Sequence, residues 1–312
     1  MSRKREHFNV IVIGGGPAGI SAAFWCAELG LSVTIFEDKT ELGGQLLRTF
    51  GSIQNYLGVN VNNGRELLDI FVQQLDSHRV TRFLACRPES IDLAAKVIRI
   101  TGGRTFSADA VVLATGVKRR TLGVPGELEF RGKGILGSGQ DARQHVSGKR
   151  VVIIGGGDAA LENALILSET AKSVTVVHRR DRFSARAEFV GRAEARTNVE
   201  FRFSSAVTAI TGDERVTAVD VIDLATGITT HIDADHVLIR IGVEPNSGLF
   251  SGQIGLDERN YVLVNADCST SANGVFAVGD VACPVSPTIA TAVGMGATAA
   301  KAITARLAKD RA

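Results

Sequence analysis

Two glycine-rich segments have the residue types and the spacing of loops that hold phosphate groups. The first reads G-G-G-P-A-G at 14–19 after the apolar run 10–13, and the second reads G-G-G-D-A-A at 155–160 after the apolar run 151–154. In such loops the first glycine permits a tight turn, the second lets a pyrophosphate approach the backbone, and the third position needs a small residue for helix packing. The following helix offers free N–H groups and a positive dipole end. The sequence therefore predicts two dinucleotide sites, each in a strand–turn–helix–strand unit.

The two units differ at the residue expected to meet the adenosine ribose. Glu37 lies 23 positions after the first glycine of its loop, whereas His178 lies 23 positions after the first glycine of the second loop and is followed by Arg179 and Arg180. A carboxylate accepts hydrogen bonds from ribose hydroxyls and repels a 2′-phosphate, while two guanidinium groups bind that phosphate in fork geometry. We therefore expect an unphosphorylated ribose, as in FAD, in the first unit and NADPH in the second.

The bulk composition argues against several other classes of protein. The 312 residues are 45% apolar with a formal net charge of +2, which gives no electrostatic reason to bind nucleic acid or a membrane surface. The basic start 1–7 leads into an apolar run that meets a glycine turn, so we interpret it as a first strand and not as a signal peptide. Cys26, Cys86, Cys268 and Cys283 are widely spaced. We therefore expect no disulfide framework, no metal site and a cytoplasmic location.

The positions of the glycine turns predict a nested domain organisation. Apolar runs end in glycine turns at 114–116 and again at Gly242, so we place an NADPH-binding domain at 118–243 inside an FAD-binding domain formed by 1–117 and 244–312. The predicted fold class is α/β, with two Rossmann-like three-layer dinucleotide-binding domains. Alternating segments at 79–100 and 199–231 suggest a small antiparallel layer in each domain. A final helix is expected over about 287–307.

Further motifs make the chain similar to a known family. They read G-G-Q-L at 43–46, N-Y-L-G at 55–58, A-T-G at 114–116, H-R-R-D-R-F at 178–183 and G-V-F-A-V-G-D at 274–280. Together with the two loops they resemble the low-molecular-weight thioredoxin reductase-like flavoproteins over nearly the whole chain. The resemblance implies bound FAD, NADPH as electron donor, two domains that can rotate against each other, and a homodimer.

The loops and the resemblance together predict the residues that contact each cofactor. The FAD contacts are expected at Gly14, Gly16, Pro17, Ala18, Gly19, Glu37, Gly44, Gln45, Leu46, Asn55, Ala114, Thr115, Gly116, Gly279, Asp280, Thr288 and Ile289. The NADPH contacts are expected at Gly155, Gly157, Asp158, Ala159, Ala160, His178, Arg179 and Arg180. By the resemblance, Asp280 binds the ribityl chain of FAD.

The chain departs from the family where the resemblance places a redox-active C-x-x-C. The corresponding positions are Ser138 and Asp141, and neither side chain can carry out thiol–disulfide exchange. In this respect the chain is nearest to ferredoxin–NADP reductases of the thioredoxin reductase type. Ser184 stands where a further arginine is usual, and S-P-T-I at 286–289 replaces a segment with arginine and glutamine. We place Pro287 in the first turn of the final helix.

These departures leave several functions open. The favoured hypothesis is an NADPH-dependent FAD oxidoreductase that passes electrons to an external acceptor such as ferredoxin, flavodoxin, another small redox protein or a quinone-like molecule. One alternative is thiol chemistry through Cys268 and Cys283 or through substrate thiols. Others are a non-catalytic FAD- and NADP-binding protein, and the oxidation of a small metabolite with Asp141 as the base. Asp141 could be a buried acid–base group beside the flavin, or simply a turn or N-cap residue.

Overall fold

The computed structural model describes residues 6–311, and within this range the chain divides into two compact units. Unit 1 comprises Met1–Lys118 and Glu244–Ala312, and unit 2 comprises Arg119–Val243. The first boundary lies one residue after the position that we placed from the sequence. Of the basic start, Arg3, Lys4 and Arg5 lie outside the described residues.

Unit 1 is built on a mixed sheet with the strand order β3-β2-β1-β6-β5-β4, in which β16 also pairs with β6. The strands are β1 (Glu6–Ile13), β2 (Val33–Phe36), β3 (Val80–Phe83), β4 (Pro88–Asp92), β5 (Val97–Ile100), β6 (Thr105–Leu113) and β16 (Val275–Ala277). Strands β1, β2, β3, β6 and β16 run parallel, so their carboxyl ends meet at one edge. This edge carries the loop 14–19.

The helices of unit 1 cover one face of this sheet. They are α1 (Pro17–Glu28), α2 (Gly64–Asp76) and α6 (Ile289–Arg311). Val10 and Val12 of β1 point towards them, while Ile11 and Ile13 point into a second core with Phe250. This alternation follows from the two-residue period of a strand. Two buried faces therefore hold β1, and with it the loop at its end, in place.

Unit 2 repeats the arrangement on a smaller scale. Its parallel sheet has the order β10-β9-β8-β14, and an antiparallel sheet has the order β11-β12-β13. The strands are β8 (Arg150–Ile154), β9 (Ser173–Val177), β10 (Val199–Arg202), β11 (Ser205–Gly212), β12 (Val216–Asp223), β13 (Thr229–Asp233) and β14 (His236–Ile239). The helices α3 (Gly139–Ala142), α4 (Asp158–Ser168) and α5 (Ala187–Glu194) pack on one face, and the antiparallel sheet covers the other.

The chain passes between the units at two paired strands, β7 (Val117–Arg119) and β15 (Val243–Pro245). None of the helices that the structure describes is long and apolar enough to cross a lipid bilayer.

The antiparallel layers predicted at 79–100 and 199–231 are present in part: β4, β5 and β6 pair antiparallel within the unit 1 sheet, and β11, β12 and β13 form an antiparallel sheet in unit 2. Strands β3 and β10 pair parallel instead, each with the neighbouring strand of its own unit. The predicted start of the final helix was wrong. The final helix begins at Ile289, because the Thr288 hydroxyl accepts a hydrogen bond from the Thr291 N–H at 3.1 Å and caps the helix. Pro287 therefore precedes the first helical turn.

Candidate functional site

The first glycine loop is shaped by contacts that exclude any larger residue at two positions. Gly14 has φ +106°, and a Cβ there would lie 2.3 Å from the carbonyl oxygen of Ala114. A Cβ on Gly19 would lie 1.9 Å from the carbonyl oxygen of Gly14. At Gly16, by contrast, the nearest atom to a Cβ would be 3.8 Å away. The loop is thus packed on its protein side and open at the glycine that should face a pyrophosphate.

Motifs distant in sequence meet at this loop. A Cβ on Gly44 would lie 3.0 Å from the Gly16 Cα, and one on Gly279 would lie 2.8 Å from the Ala18 Cβ. Ala292, in the first turns of α6, also packs against Gly279. The segments 43–46 and 274–280 are therefore brought to the carboxyl edge of the unit 1 sheet, beside the start of α1.

Gln45 and Asp280 contact each other at this edge. The Gln45 Nε2 donates a hydrogen bond to the Asp280 Oδ2 at 2.7 Å. Burial raises the pKa of Asp280, and the hydrogen bond from Gln45 opposes that rise. The pair presents amide and carboxyl groups that can exchange hydrogen bonds with a polyhydroxyl chain.

Glu37 lies buried directly after β2. Its Oε2 accepts a hydrogen bond from the Gly15 N–H at 2.6 Å, and its Oε1 accepts one from the Lys39 N–H at 3.0 Å. Burial, followed by a hydrogen bond with Asp38, raises the pKa of Glu37. A carboxylate has about four acceptor positions, so two backbone donors leave capacity for ribose hydroxyls. The arrangement suits an adenosine ribose that carries no phosphate.

The second loop has the same construction in unit 2. Gly155 has φ +145°, and a Cβ there would lie 2.1 Å from the carbonyl oxygen of Arg240. Ala160, at the third position, is fully buried and would lie 3.3 Å from the same Cβ. At Gly157 the nearest atom to a Cβ would be the Ser184 Oγ at 3.8 Å. This loop too is tight towards the protein and open towards a ligand.

His178 takes in unit 2 the place that Glu37 takes in unit 1. Its ring lies so close to Gly156 that a Cβ there would be 2.3 Å from Nδ1, and Phe183 stacks on it with the ring centroids 5.7 Å apart. Burial lowers the pKa of His178, and its Nε2 has no hydrogen-bond partner among the described residues. Arg179 and Arg180 follow it and are exposed. The edge thus offers positive charge and a buried nitrogen where unit 1 offers a carboxylate.

Asp158 is held by an arginine that the sequence analysis did not single out. Its two carboxylate oxygens accept hydrogen bonds from the Arg186 backbone N–H and Nε, each at 2.8 Å. The backbone bond from Arg186, with that side chain, lowers the pKa of Asp158. The Ser184 N–H and hydroxyl both donate to the Gly156 carbonyl. The segment after H-R-R therefore folds against the second loop.

The segment in which the resemblance places a C-x-x-C forms α3. The Gly139 N–H donates to the Asn163 Oδ1 at 2.9 Å, and the Asn163 Nδ2 donates to the Ala159 carbonyl at 2.6 Å. Asn163, which the sequence analysis missed, thus fastens α3 to α4. Asp141 is exposed and lies inside the first turn of α3, while Ser138 occupies the cap position. Asp141 is therefore neither buried nor an N-cap, and its catalytic role stays a prediction.

Thr115 is tied to a residue that also went unnoticed in the sequence. The Thr115 Oγ1 donates to the Asn246 carbonyl at 2.9 Å, and the Asn246 Nδ2 donates back to the Thr115 carbonyl at 2.8 Å. The Asn246 N–H donates to the Gly116 carbonyl. The only available signal was the dipeptide Pro245-Asn246 after the turn at Gly242.

The remaining predicted FAD contacts have other local roles. Leu46 is buried in the helix-side core, and Ile289 packs against that core. Thr288 caps α6. Asn55 lies in an exposed bend, and none of the contacts described for residues 6–311 joins it to the loop 14–19. The described residues also contain no group of three or more His, Cys, Asp or Glu side chains placed to hold a metal ion.

The cysteines are free in the described part of the chain, and Cys26, Cys86 and Cys268 are buried. Burial raises the pKa of Cys26 to about 12. Burial, followed by Asp267 and Cys283, raises the pKa of Cys268 to about 11. A thiol with such a pKa holds little thiolate at neutral pH, so Cys268 is a poor nucleophile.

Comparisons with known proteins agree with this geometry. Residues 8–298 match the family model described as pyridine nucleotide-disulphide oxidoreductase. The thioredoxin reductase of Mycolicibacterium smegmatis is 37% identical over 307 residues, covering 96% of each chain. The crystal structure of T. acidophilum thioredoxin reductase matches with a TM-score of 0.81 at 32% identity, covering 97% of this chain and 99% of the other. That of Lactococcus lactis thioredoxin reductase matches with a TM-score of 0.84 at 29% identity and the same coverage. The predicted α/β class, with Rossmann-like dinucleotide-binding domains, is confirmed.

Proposed function

The chain belongs to the pyridine nucleotide-disulphide oxidoreductase family, and we propose that it passes electrons from NADPH through FAD to an external acceptor without a cysteine pair of its own. Family membership confirms the predicted family, the predicted class of enzyme and the predicted cofactors, FAD and NADPH. The acceptor and the residues that carry each step are the parts that we propose.

The observation that carries the proposal is the α3 segment. Ser138 and Asp141 stand where the resemblance places the two cysteines, and neither can attack a disulfide or resolve a mixed disulfide. The burial and high pKa of Cys268 argue against a relocated dithiol that uses Cys283. Electrons must therefore leave the flavin without a protein thiol.

The two units divide the cofactors between them in this proposal. The open glycine Gly16 and the carboxylates of Glu37 and Asp280 hold FAD in unit 1, through its pyrophosphate, ribose and ribityl chain. In unit 2 the open glycine Gly157 receives the pyrophosphate of NADPH, and Arg179 with its neighbour Arg180 receives the 2′-phosphate. When bound, FAD supplies the ability to take up electrons in pairs and to release them singly or in pairs.

The proposed acceptor is a small redox partner of the ferredoxin or flavodoxin type. Such carriers take electrons directly from a flavin and need no thiolate from the reductase. The similar proteins are named for thioredoxin, so thioredoxin is the comparison acceptor. A homodimer and a cytoplasmic location belong to the same proposal. The homodimer rests on the resemblance, and the location rests on the widely spaced cysteines and on the interpretation of the chain start as a strand.

The test is anaerobic mixing of the FAD-loaded protein with NADPH and, separately, with NADH while flavin absorbance is followed. We expect fast bleaching with NADPH, a much slower response to NADH, and reoxidation by ferredoxin or flavodoxin but not by thioredoxin. Reoxidation by thioredoxin alone would contradict the proposed acceptor. Absence of bleaching by either nucleotide would contradict the proposed use of NADPH.

A further inference from the structure

At the carboxyl edge of the unit 2 parallel sheet, the predicted adenosine site lies on one side of the glycine loop, and strand β14 ends on the other side. In the order β10-β9-β8-β14, the strand that ends in the glycine loop has β9 on one side and β14 on the other. His178 and Arg179 follow β9, whereas Arg240 follows β14. A dinucleotide that crosses the loop with its adenosine towards β9 therefore extends its nicotinamide half towards β14.

Arg240 lies directly beside the loop on that second side. Its carbonyl oxygen is the atom that a Cβ on Gly155 would meet at 2.1 Å. Neighbouring parallel strands are about 4.8 Å apart, so the side chain of Arg240 begins within one strand spacing of the loop. An arginine side chain is long enough to span that distance.

Two guanidinium groups converge on the carbonyl oxygen of Gly137. The Arg240 Nη2 donates to the Gly137 carbonyl at 3.1 Å, and the Arg119 Nη1 donates to the same carbonyl. The Arg240 Nη1 donates to the Ile239 carbonyl at 2.9 Å. A guanidinium has five N–H donors, so these bonds orient Arg240 without exhausting it.

No carboxylate of the described residues compensates the positive charge of Arg240. Within residues 6–311, Arg240 has no carboxylate within ion-pair distance. Burial, followed by repulsion from Arg119, lowers the pKa of Arg240 to about 10, so it remains charged at neutral pH. Two like charges that share one carbonyl repel each other, and an anion placed between them would relieve that repulsion.

We infer that Arg119 and Arg240 form an anion subsite for the nicotinamide-side phosphate of NADPH, separate from the arginines that follow β9. The inference rests on the proposed function, because it assumes that NADPH binds at the second loop. A phosphate joined to the nicotinamide ribose fits better than an acidic protein surface, because Arg240 is half-buried beside the loop. The guanidinium fork matches phosphate oxygens in a bidentate geometry.

The experiment compares two ligands on the FAD-loaded protein by titration calorimetry. NADP⁺ carries both halves of the nucleotide, whereas 2′,5′-ADP lacks the nicotinamide-side phosphate and ribose. In the double variant Arg119→Gln/Arg240→Gln, we expect the Kd of NADP⁺ to rise about tenfold to hundredfold, as for lost hydrogen bonds to a charged group. The Kd of 2′,5′-ADP should stay within about twofold of the wild type.

The control is Arg196→Gln, which removes an exposed positive charge just before β10, at the opposite edge of the sheet. It should leave both affinities unchanged, and Arg240→Lys should recover only part of the NADP⁺ affinity because it keeps the charge and loses the fork. An unchanged Kd for NADP⁺ in the double variant, or an equal loss for both ligands, would overturn the subsite alone. Failure of the wild type to bind NADP⁺ would overturn the proposed function with it.

Discussion

Substitution of a single open glycine in either loop should remove one cofactor and spare the other. The matched variants are Gly16→Ala in unit 1 and Gly157→Ala in unit 2. Gly16 has φ −76° and ψ −178°, and Gly157 has φ −97° and ψ 179°, conformations that alanine adopts without strain. In each case the nearest atom to the new methyl group would be 3.8 Å away, an ordinary van der Waals distance.

These distances set the expected magnitudes. The methyl group meets no protein atom closely, so the free energy of unfolding of the apoprotein should be unchanged or higher by about 0.4–1 kcal/mol, because alanine restricts the unfolded chain. In the proposed function, the same methyl group occupies space that the pyrophosphate of the cofactor needs. Overpacking of a tight site costs about 1–3 kcal/mol, which corresponds to a rise in Kd of about fivefold to 150-fold.

A third variant separates loss of ligand from loss of fold. In Gly19→Ala the methyl group would lie 1.9 Å from the carbonyl oxygen of Gly14, which is backbone held in a turn at φ +106°. The helix and the strand must then move apart, and we expect destabilisation of about 3 kcal/mol or more. This variant should lose both FAD and thermal stability, unlike Gly16→Ala.

The assay measures three quantities for each variant: FAD content and Kd by flavin fluorescence, Kd of NADP⁺ by calorimetry, and unfolding of the apoprotein in urea. Gly16→Ala should lose FAD affinity alone, and Gly157→Ala should lose NADP⁺ affinity alone. If Gly16→Ala binds FAD as tightly as the wild type, the pyrophosphate does not lie at this glycine. If Gly157→Ala weakens FAD and leaves NADP⁺ unchanged, the division of cofactors between the units is wrong.

Three further predictions follow from single contacts. Arg179→Gln and Arg180→Gln should each lower kcat/KM for NADPH about tenfold to hundredfold and leave that for NADH nearly unchanged, since each removes a proposed charged hydrogen bond to the 2′-phosphate; equal losses with both nucleotides would contradict this. Burial lowers the pKa of His236 from its ordinary value of 6.5. Below pH 6.5 the unfolded state therefore binds more protons than the folded state, so the free energy of unfolding should fall as the pH drops through 6.5. His236→Gln should flatten the pH dependence of the free energy of unfolding, measured in urea, below pH 6.5, and an unaltered slope would exclude His236 as the cause. Cys268→Ala and Cys283→Ala should each leave NADPH-driven acceptor reduction unchanged, and its loss in either variant would favour thiol chemistry.

The glycine loops and the residues that follow them depend on local contacts, so they could be predicted from the sequence. The turn after a buried strand requires glycine at Gly14 and Gly155 because φ is positive there. One helix and one strand separate each loop from Glu37 or His178, so the distance can be counted directly in residues along the sequence. These features needed no knowledge of distant contacts.

The placement of the smaller strands was less predictable. Alternation at 79–100 identified strands but could not say which sheet they join. The sheet that an edge strand joins depends on backbone hydrogen bonds to a strand distant in sequence, and β3 pairs with β2. The start of α6 was misplaced because proline tolerates the first helical turn, whereas the cap depends on where the Thr288 hydroxyl points.

The sequence by itself determined the two glycine-rich loops, the difference between a carboxylate and two arginines beyond them, and the serine and aspartate at the positions where the resemblance places a cysteine pair. These are properties of residue type at short spacing, where steric and charge requirements act directly. Only the tertiary structure decided that Arg119 and Arg240, far apart in the chain, share the carbonyl of Gly137, and that Asn163 fastens α3. Such contacts depend on strand order and helix packing, so no local sequence pattern predicts them.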